Sequence, residues 1–201
     1  MSAAGQLARL PRKPLSPPAG PVSAAFAAAG ACDLVEAFEL AWALPYGRNV
    51  DAGAPLAALS EGRGTCSTKH ALLARLCDEL NVDVELRIGI YEMTEANTPG
   101  VGRVLDAHGL TFLPEAHCFL VFDGQRIDVT RHVAAGTTPI DKFLYQEGIR
   151  PDQVGAYKRG VHRHFIEHWA AESPDAGGLS GEILWTIREE CIAALSSEER
   201  P

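Results

Sequence analysis

The sequence predicts an α+β fold, because helical and strand periodicities occur in separate parts of the chain. An amphipathic helix follows the glycine-rich turn at residues 62–64, with apolar side chains three and four residues apart. Alternation of apolar and polar residues over 82–90 predicts a half-buried strand. Two further strand-like runs, 117–122 and 125–130, are separated by Asp123-Gly124, a sequence typical of two-residue hairpin turns.

Composition favours an ordinary globular protein. The chain has 201 residues, of which 46% are hydrophobic and 22% charged. A net charge of −8 argues against binding to nucleic acid or to an anionic membrane surface. The five cysteines include no closely spaced pair, which favours reduced thiols and a cytoplasmic protein. No apolar run approaches the length of a membrane-spanning helix.

One domain is expected to follow an extended arm. Residues 1–22 hold five of the thirteen prolines, which predicts a disordered arm, and residues 23–201 are expected to form a single domain. Its core motifs lie within 35–131, and its C-terminal helices within 139–196. The other elements expected are a helix over 23–44, a short helix opened by Pro55 and a long excursion over 92–114. Further helices are expected to begin near Pro139 and Pro151 and after Ser180.

The helix after residue 65 is expected to bury one stripe. Thr65 is placed to cap its N-terminus, so Cys66 falls in the first turn. The predicted buried stripe contains Cys66, His70, Leu73, Cys77 and Leu80, and the predicted solvent face contains Lys69, Arg75, Asp78 and Glu79. A thiol in a first turn meets unpaired N–H groups and the positive end of the helix dipole, which favour the thiolate. Cys66 is therefore a candidate nucleophile, and its alternative is a small buried apolar side chain.

The predicted hairpin brings an imidazole and a carboxylate to one face. If Asp123-Gly124 forms the turn, Phe122 faces Gln125, and counting back makes His117 and Asp128 diagonal neighbours. Their Cβ atoms would lie within about 8 Å. A turn shifted by one residue would break this relation.

These residues make a nucleophile, base and orienting group. Cys66 would attack an acyl carbon, His117 would take and return the proton, and Asp128 would fix the imidazole tautomer. The backbone N–H of Cys66 is a candidate oxyanion donor. Supporting roles are considered for His70, one turn after Cys66, for the capping Thr65 and for Asn49, and second oxyanion donors are sought among Asn49, Tyr46 and Trp42.

The order Cys66, His117, Asp128 resembles the transglutaminase-like domain family of papain-like cysteine enzymes, in its bacterial type. Gly-Thr-Cys opens a helix, Glu-Ala-His opens a strand, and Ile-Asp-Val-Thr closes the next, over about residues 35–131. The resemblance implies a papain-like fold, in which the helix that carries the nucleophile packs on a mainly antiparallel sheet, with extra helices at both ends. It implies no cofactor and no metal, and a peptide, amide or small acyl group as substrate.

Several alternatives stay open. Acyl transfer from a thioester, as in arylamine N-acetyltransferases, would use the same Cys–His–Asp logic. A catalytically silent binding domain is another alternative, and it would not need the Cys–His–Asp set. The HxxEH pattern His164–His168 is that of a zinc-peptidase helix. A last alternative is a metal held by Cys66, His70, His117 and Asp128.

Overall fold

The structure, a computed structural model, describes residues 3–132 and 136–198. Its helices are α1 Ala3–Leu7, α2 Pro21–Ala28, α3 Leu34–Ala43, α4 Ala57–Ser60, α5 Cys66–Glu79, α6 Gly102–Ala107, α7 Ala156–Glu172 and α8 Gly181–Glu198. Its strands are β1 Glu85–Met93, β2 Leu113–Phe122, β3 Gln125–Ile127 and β4 Tyr145–Gly148, and a short 3₁₀ helix spans Pro174–Ala176. Within these described ranges no helix combines the length and apolar character needed to cross a membrane.

The four strands form one antiparallel sheet in the order β3-β2-β1-β4. The mixed helix-and-sheet class predicted from the sequence is confirmed at this level. Strand β1 begins later in the chain than the predicted strand over 82–90, because residues 81 and 82 belong to the turn that follows α5. In that turn Asn81 has a φ of 52° and the Val82 N–H bonds to the Cys77 carbonyl. Strand β4 falls where helix was expected, and helix α7 begins only at Ala156.

The chain divides into two compact units, and the single domain expected over residues 23–201 stays a prediction. The first contains residues 1–88, 118–132 and 147–155, and the second contains residues 89–117, 133–146 and 156–201. Strands β1 and β2 each run through both sets of residues. The apolar core of the first unit includes Phe26, Phe38 and the inner face of α5.

The Asp123-Gly124 turn forms as predicted. Phe122 pairs with Gln125, and the ladder continues to the pair Leu120 and Ile127. Both turn residues have positive φ, 49° at Asp123 and 70° at Gly124, which is the backbone of a type I′ turn. The predicted register is therefore confirmed over the pairs that β3 makes.

The helix expected over 23–44 is broken in two. Helix α2 ends before Gly30, which has a φ of 100°, a conformation that favours glycine. Asp33 then caps α3 by accepting a hydrogen bond from the Glu36 N–H at 3.0 Å. The apolar periodicity continues across the break, which is why the pattern alone predicted one helix.

The proline-rich arm differs from the expected disordered segment. Helix α1 lies within it, and the side chains of Leu7, Leu10 and Leu15 are buried in the core. The backbone at Leu15 donates a hydrogen bond to the Cys32 carbonyl at 3.0 Å. Apolar residues between the prolines give this arm enough buried surface to pack.

The second unit contains a buried ionic cluster beneath β2. The carboxylate of Glu115 accepts two hydrogen bonds from the guanidinium of Arg188, both at 2.7 Å. His162 donates from Nε2 to the Pro114 carbonyl at 2.9 Å. The buried residues of α7 are Lys158, His162 and Ile166, whereas Tyr157 is exposed.

Charge and burial oppose each other in this cluster. Burial alone would raise the pKa of the Glu115 carboxyl, but the charges of Arg188, His162 and Lys158, together with the hydrogen bonds from Arg188, outweigh burial and lower that pKa. Burial lowers the pKa of His162, although Glu115 acts in the opposite direction. The folded chain therefore holds His162 neutral.

Substitution Gly124→Ala is expected to reduce the free energy of unfolding by about 1 kcal/mol, because alanine is strained at positive φ. The matched control is Gly160→Ala in the exposed interior of α7, where an added Cβ meets nothing within 4 Å. That change should instead add about 0.5–1 kcal/mol. Urea unfolding of the two variants measures both effects, and equal signs would contradict the type I′ assignment.

A second expectation concerns the dependence of stability on pH. A histidine that stays neutral when folded binds fewer protons than the unfolded chain below the ordinary value of 6.5, so stability should fall as the pH drops through and below 6.5. Substitution His162→Gln should flatten this dependence, and His164→Gln, at an exposed position on the same helix, should leave it unchanged. Unfolding curves between about pH 7 and 5.5 measure the difference. An identical slope in wild type and His162→Gln would show that His162 is not buried neutral.

Candidate functional site

Helix α5 begins as the sequence predicted. Thr65 is its N-cap, and its side chain accepts a hydrogen bond from the Thr68 N–H at 3.5 Å. The Thr68 hydroxyl in turn accepts from the Thr65 N–H at 3.0 Å, which completes a capping box. Cys66 is the first residue of the helix and is 8% exposed. The predicted cap and the predicted burial of Cys66 are both confirmed.

Asn49 holds this cap in place. Its Oδ1 accepts a hydrogen bond from the Thr68 hydroxyl at 2.7 Å. Its Nδ2 donates to the carbonyls of Arg63 and Ala57 at 2.9 and 3.3 Å. Asn49 is thus a supporting residue of the α5 turn, and its amide hydrogens already bond to these carbonyls.

The first turn of α5 is buried although it is polar. Ser67, Thr68, Lys69 and His70 follow Cys66 directly, and all four side chains are buried. Their polar groups need hydrogen-bond partners, since an unpaired polar group inside a protein is costly. The partners come from the segments before and after this helix in the chain.

Lys69 corrects the sequence analysis, which placed it on the solvent face. Its side chain is 0% exposed. The side-chain nitrogen donates to the Leu44 carbonyl and, at 2.8 Å, to the Thr130 carbonyl. Gly64 makes room for the stem, because a Cβ there would lie 2.9 Å from the Lys69 Cγ. Helical periodicity could not reveal this, since the burial comes from loops that cover the outer face.

His70 joins Cys66 to the segment that carries Asp128. Its Nδ1 lies 2.7 Å from the Cys66 carbonyl, and its Nε2 accepts from the Val129 N–H at 3.0 Å. A carbonyl only accepts, so Nδ1 carries the hydrogen and the ring is the neutral Nδ1–H tautomer. The Asp128 carboxylate lies 3.8 Å from Nε2. His70 is therefore a fully buried ring that joins the first turn of α5 to the backbone of Val129, and its supporting role stays a prediction.

Asp128 lies just beyond the end of β3. Its backbone N–H donates to the Gln6 side chain at 3.0 Å, and the Val129 N–H donates to His70. The Asp128 carboxylate accepts a hydrogen bond from the Thr130 N–H at 3.1 Å. Because these N–H groups bond elsewhere, the regular ladder stops at Ile127, and the diagonal relation expected between Asp128 and His117 is not part of it.

A second thiol lies near Cys66. The Ser67 hydroxyl is 3.9 Å from the Cys66 sulfur and 3.7 Å from the Cys118 sulfur of β2. No pattern in the sequence pointed to Cys118. Burial raises the pKa of Cys77 to about 12 and that of Cys191 to about 11. Bonding and charge from Glu36 raise the pKa of the exposed Cys32.

His117, the predicted base, belongs to the second unit and is 6% exposed. The ring of Tyr91 on β1 packs against it edgewise, with centroids 6.0 Å apart and an angle of 75° between the planes. Cys66, Asp128, His70, Thr65 and Asn49 all belong to the first unit. The pairing of His117 with the Cys66 thiol stays a prediction.

Metal ligands were among the sequence-based alternatives. In the part of the chain that is described, no group of three or more His, Cys, Asp or Glu side chains is arranged to hold a metal ion. Within the HxxEH pattern, His164 and His168 contact each other edgewise, with ring centroids 4.7 Å apart, and His168 pairs with Glu172 at 3.7 Å on the exposed side of α7. This contact pattern is that of an exposed helix face.

Substitution Lys69→Met tests the buried lysine. It should lower the free energy of unfolding by about 2 kcal/mol, because the carbonyls of Leu44 and Thr130 lose a donor inside the protein. Lys13 is a matched control, since it also donates to two carbonyls, those of Leu80 and Asn81, but at a partly exposed position where water can replace it. Chemical denaturation of both variants measures the difference. A loss in Lys13→Met as large as that in Lys69→Met would contradict the special role of burial.

No family model matches this chain, and neither a curated protein nor a solved structure matches it. Fold and function are therefore inferred from the residues of this chain. The contacts that bear most on function are those of the buried polar turn at the start of α5.

Proposed function

We propose that this chain is a thiol-dependent enzyme that processes acyl or amide substrates, as a hydrolase or an acyltransferase. Cys66 is the nucleophile, His117 the base and Asp128 the group that orients the imidazole. One observation carries the proposal: Cys66 begins α5, and the segment with Asp128 is hydrogen-bonded to that same turn through Lys69 and His70. The turn that begins with Cys66 and the segment that carries Asp128 thus share one buried polar network.

A buried polar network is less stabilising than apolar packing, so its presence supports a functional role for this turn. Burying the Lys69 nitrogen and the His70 ring removes them from water, and apolar side chains of the same size would pack there more cheaply. Polar groups kept inside a protein at this cost cluster at functional sites. A thiol that served only as a small apolar side chain would need no polar turn around it.

The bonding of His70 supports His117 as the base. One ring nitrogen of His70 donates to the Cys66 carbonyl and the other accepts from the Val129 N–H. Both nitrogens hold backbone groups, so His70 has no nitrogen available to exchange a proton with substrate. The proton-transfer role therefore goes to the other histidine of the motif, His117.

The chemistry follows the acyl-enzyme route. The Cys66 thiolate adds to the acyl carbon, the proton held by His117 passes to the leaving group, and water or an amine then releases the acyl group. The Cys66 N–H would donate to the oxyanion at the helix start. The indole N–H of Trp42 is buried without a hydrogen-bond partner among the described residues, which makes it a candidate second donor.

The proposed fold is the papain-like arrangement of a transglutaminase-like domain. The contact between Ser67 of α5 and Cys118 of β2 supports a nucleophile helix that packs on the sheet. Proposed substrates are peptides, amides or small acyl groups in the cytoplasm, and a net charge of −8 disfavours nucleic acid. Transfer from a thioester, as in arylamine N-acetyltransferases, is the acyltransferase form of the same proposal.

The decisive measurement is the pH profile of iodoacetamide alkylation, read at each cysteine by peptide mass spectrometry. Cys66 should react with a midpoint well below the ordinary thiol value of about 8.5. His117→Gln should move this midpoint upward, and Asp128→Asn should do so more weakly. Cys32 is the internal control, because Glu36 raises its pKa, and the buried Cys77 should stay unmodified.

Acylation separates an enzyme from a silent binding domain. An activated aryl acetate should leave an acetyl group on Cys66, and Cys66→Ser should abolish the adduct. The proposed function would be overturned, and the binding domain favoured, by two results together. The first is that Cys66 alkylates with an ordinary thiol midpoint or does not react, and the second is that no acyl adduct forms.

A further inference from the structure

A chain of hydrogen bonds starts at the tyrosine that packs on His117. The Tyr91 hydroxyl and the Thr98 hydroxyl lie 2.9 Å apart, both buried. Thr98 donates its single hydroxyl hydrogen to the Asn97 Oδ1 at 3.0 Å. Because that hydrogen is used, Tyr91 must be the donor to Thr98. The direction of the chain is thus fixed from Tyr91 through Thr98 to Asn97.

Asn97 is held on both sides of its amide. Its Oδ1 also accepts from the Thr94 N–H at 3.0 Å, and its Nδ2 donates to the Glu92 carbonyl at 2.8 Å. The Thr98 N–H closes the turn on the Thr94 carbonyl at 2.8 Å. Every member of the chain is satisfied, which is the condition under which buried polar networks rigidify a structure.

The next residues of the loop are fixed in the same way. The Glu95 carboxylate accepts from the N–H groups of Gly100 and Gly102, at 3.0 and 2.6 Å. A Cβ on Gly102 would lie 2.9 Å from that carboxylate, so the close approach depends on glycine. The start of the 92–114 excursion is therefore a braced turn.

We propose that Tyr91 and Thr98 are positioning residues that hold the His117 imidazole in its working orientation. This inference rests on the proposed function, because it concerns the base of that mechanism. The aromatic edge contact restricts the rotamers of His117, and the hydroxyl of Tyr91 fixes the ring that makes the contact. The braced turn 94–98 supplies the fixed end of the chain.

The hydrogen bond between the Tyr91 and Thr98 hydroxyls is expected where the position of the Tyr91 ring affects function. Phenylalanine would fill the same space on β1 without a buried hydroxyl to satisfy. Tyrosine with a dedicated partner makes the ring position depend on the loop, and small displacements of a catalytic group cost large factors in rate. In this proposal Tyr91 and Thr98 act through His117.

The test compares variants that remove only a hydroxyl with variants that keep it. Thr98→Val and Tyr91→Phe should each lower the Cys66 alkylation rate near neutral pH by about three- to tenfold, which is the loss expected from one hydrogen bond. Thr98→Ser should stay within about twofold of wild type. Tyr91→Leu, which removes the ring, should lose more than either. Thr186→Val is the matched control, because it removes an exposed hydroxyl on α8 of the same unit.

A second readout separates positioning from a general loss of structure. The NMR titration of the His117 ring, assigned with His117→Gln, should shift in Tyr91→Leu and Thr98→Val, whereas that of the exposed His164 should not. Thermal unfolding checks that the hydroxyl variants stay folded. If the Tyr91 and Thr98 variants match wild type in both the alkylation profile and the His117 titration, the positioning role is wrong.

The same experiment distinguishes the two levels of inference. If His117→Gln leaves the Cys66 profile unchanged, the proposed function fails, whatever the Tyr91 variants do. If His117→Gln changes the profile but the Tyr91 and Thr98 variants do not, the proposed function stands and the positioning role is overturned.

Discussion

The first unit depends on the side chain of Lys69, which is fully buried and bonded to two backbone carbonyls. Leu44 follows helix α3 directly, and Thr130 follows the hairpin, so one side-chain nitrogen joins two segments that are far apart in the chain. His70 adds a third connection by accepting from Val129. Without Lys69 the carbonyls of Leu44 and Thr130 would lose this donor at part-buried positions, which is costly. The position of Asp128 relative to α5 follows from these bonds.

A lysine is a poor choice for this task on stability grounds alone. Burying an amine is costly, and the cost is recovered only through well-placed acceptors. The surrounding residues agree with a dedicated arrangement: Gly64 leaves space for the lysine stem, and Asn49 fixes the cap that begins the helix. Selection for stability alone would favour apolar packing here. The buried polar turn that begins with Cys66 is the observation on which its proposed role rests.

The second unit has polar supports of its own along β2. Glu115 is held by Arg188 from α8, and His117, two residues later, meets Tyr91. The ionic pair fixes the strand, while the edge contact concerns the imidazole itself. These supports act on different parts of the same strand. The Glu115 carboxylate bonds to Arg188 of α8, and His162 of α7 bonds to the Pro114 carbonyl. The braced turn at Asn97 then makes the start of the excursion a rigid support for Tyr91.

Local chemistry determined what the sequence alone could predict. The Asp123-Gly124 turn needs only positive φ at two positions, and the Thr65 cap needs only a hydroxyl before a helix, so both were predicted correctly. Tertiary structure decided the rest: the burial of Lys69, the end of β3 at Ile127, and the packing of the proline-rich arm. Each of these depends on donors and acceptors that are distant in sequence, and periodicity carries no information about such partners. The sequence identified Cys66 as the start of a helix. The polar contacts around this turn involve residues that are distant in sequence, Val129 and Thr130, so only the tertiary structure reveals them.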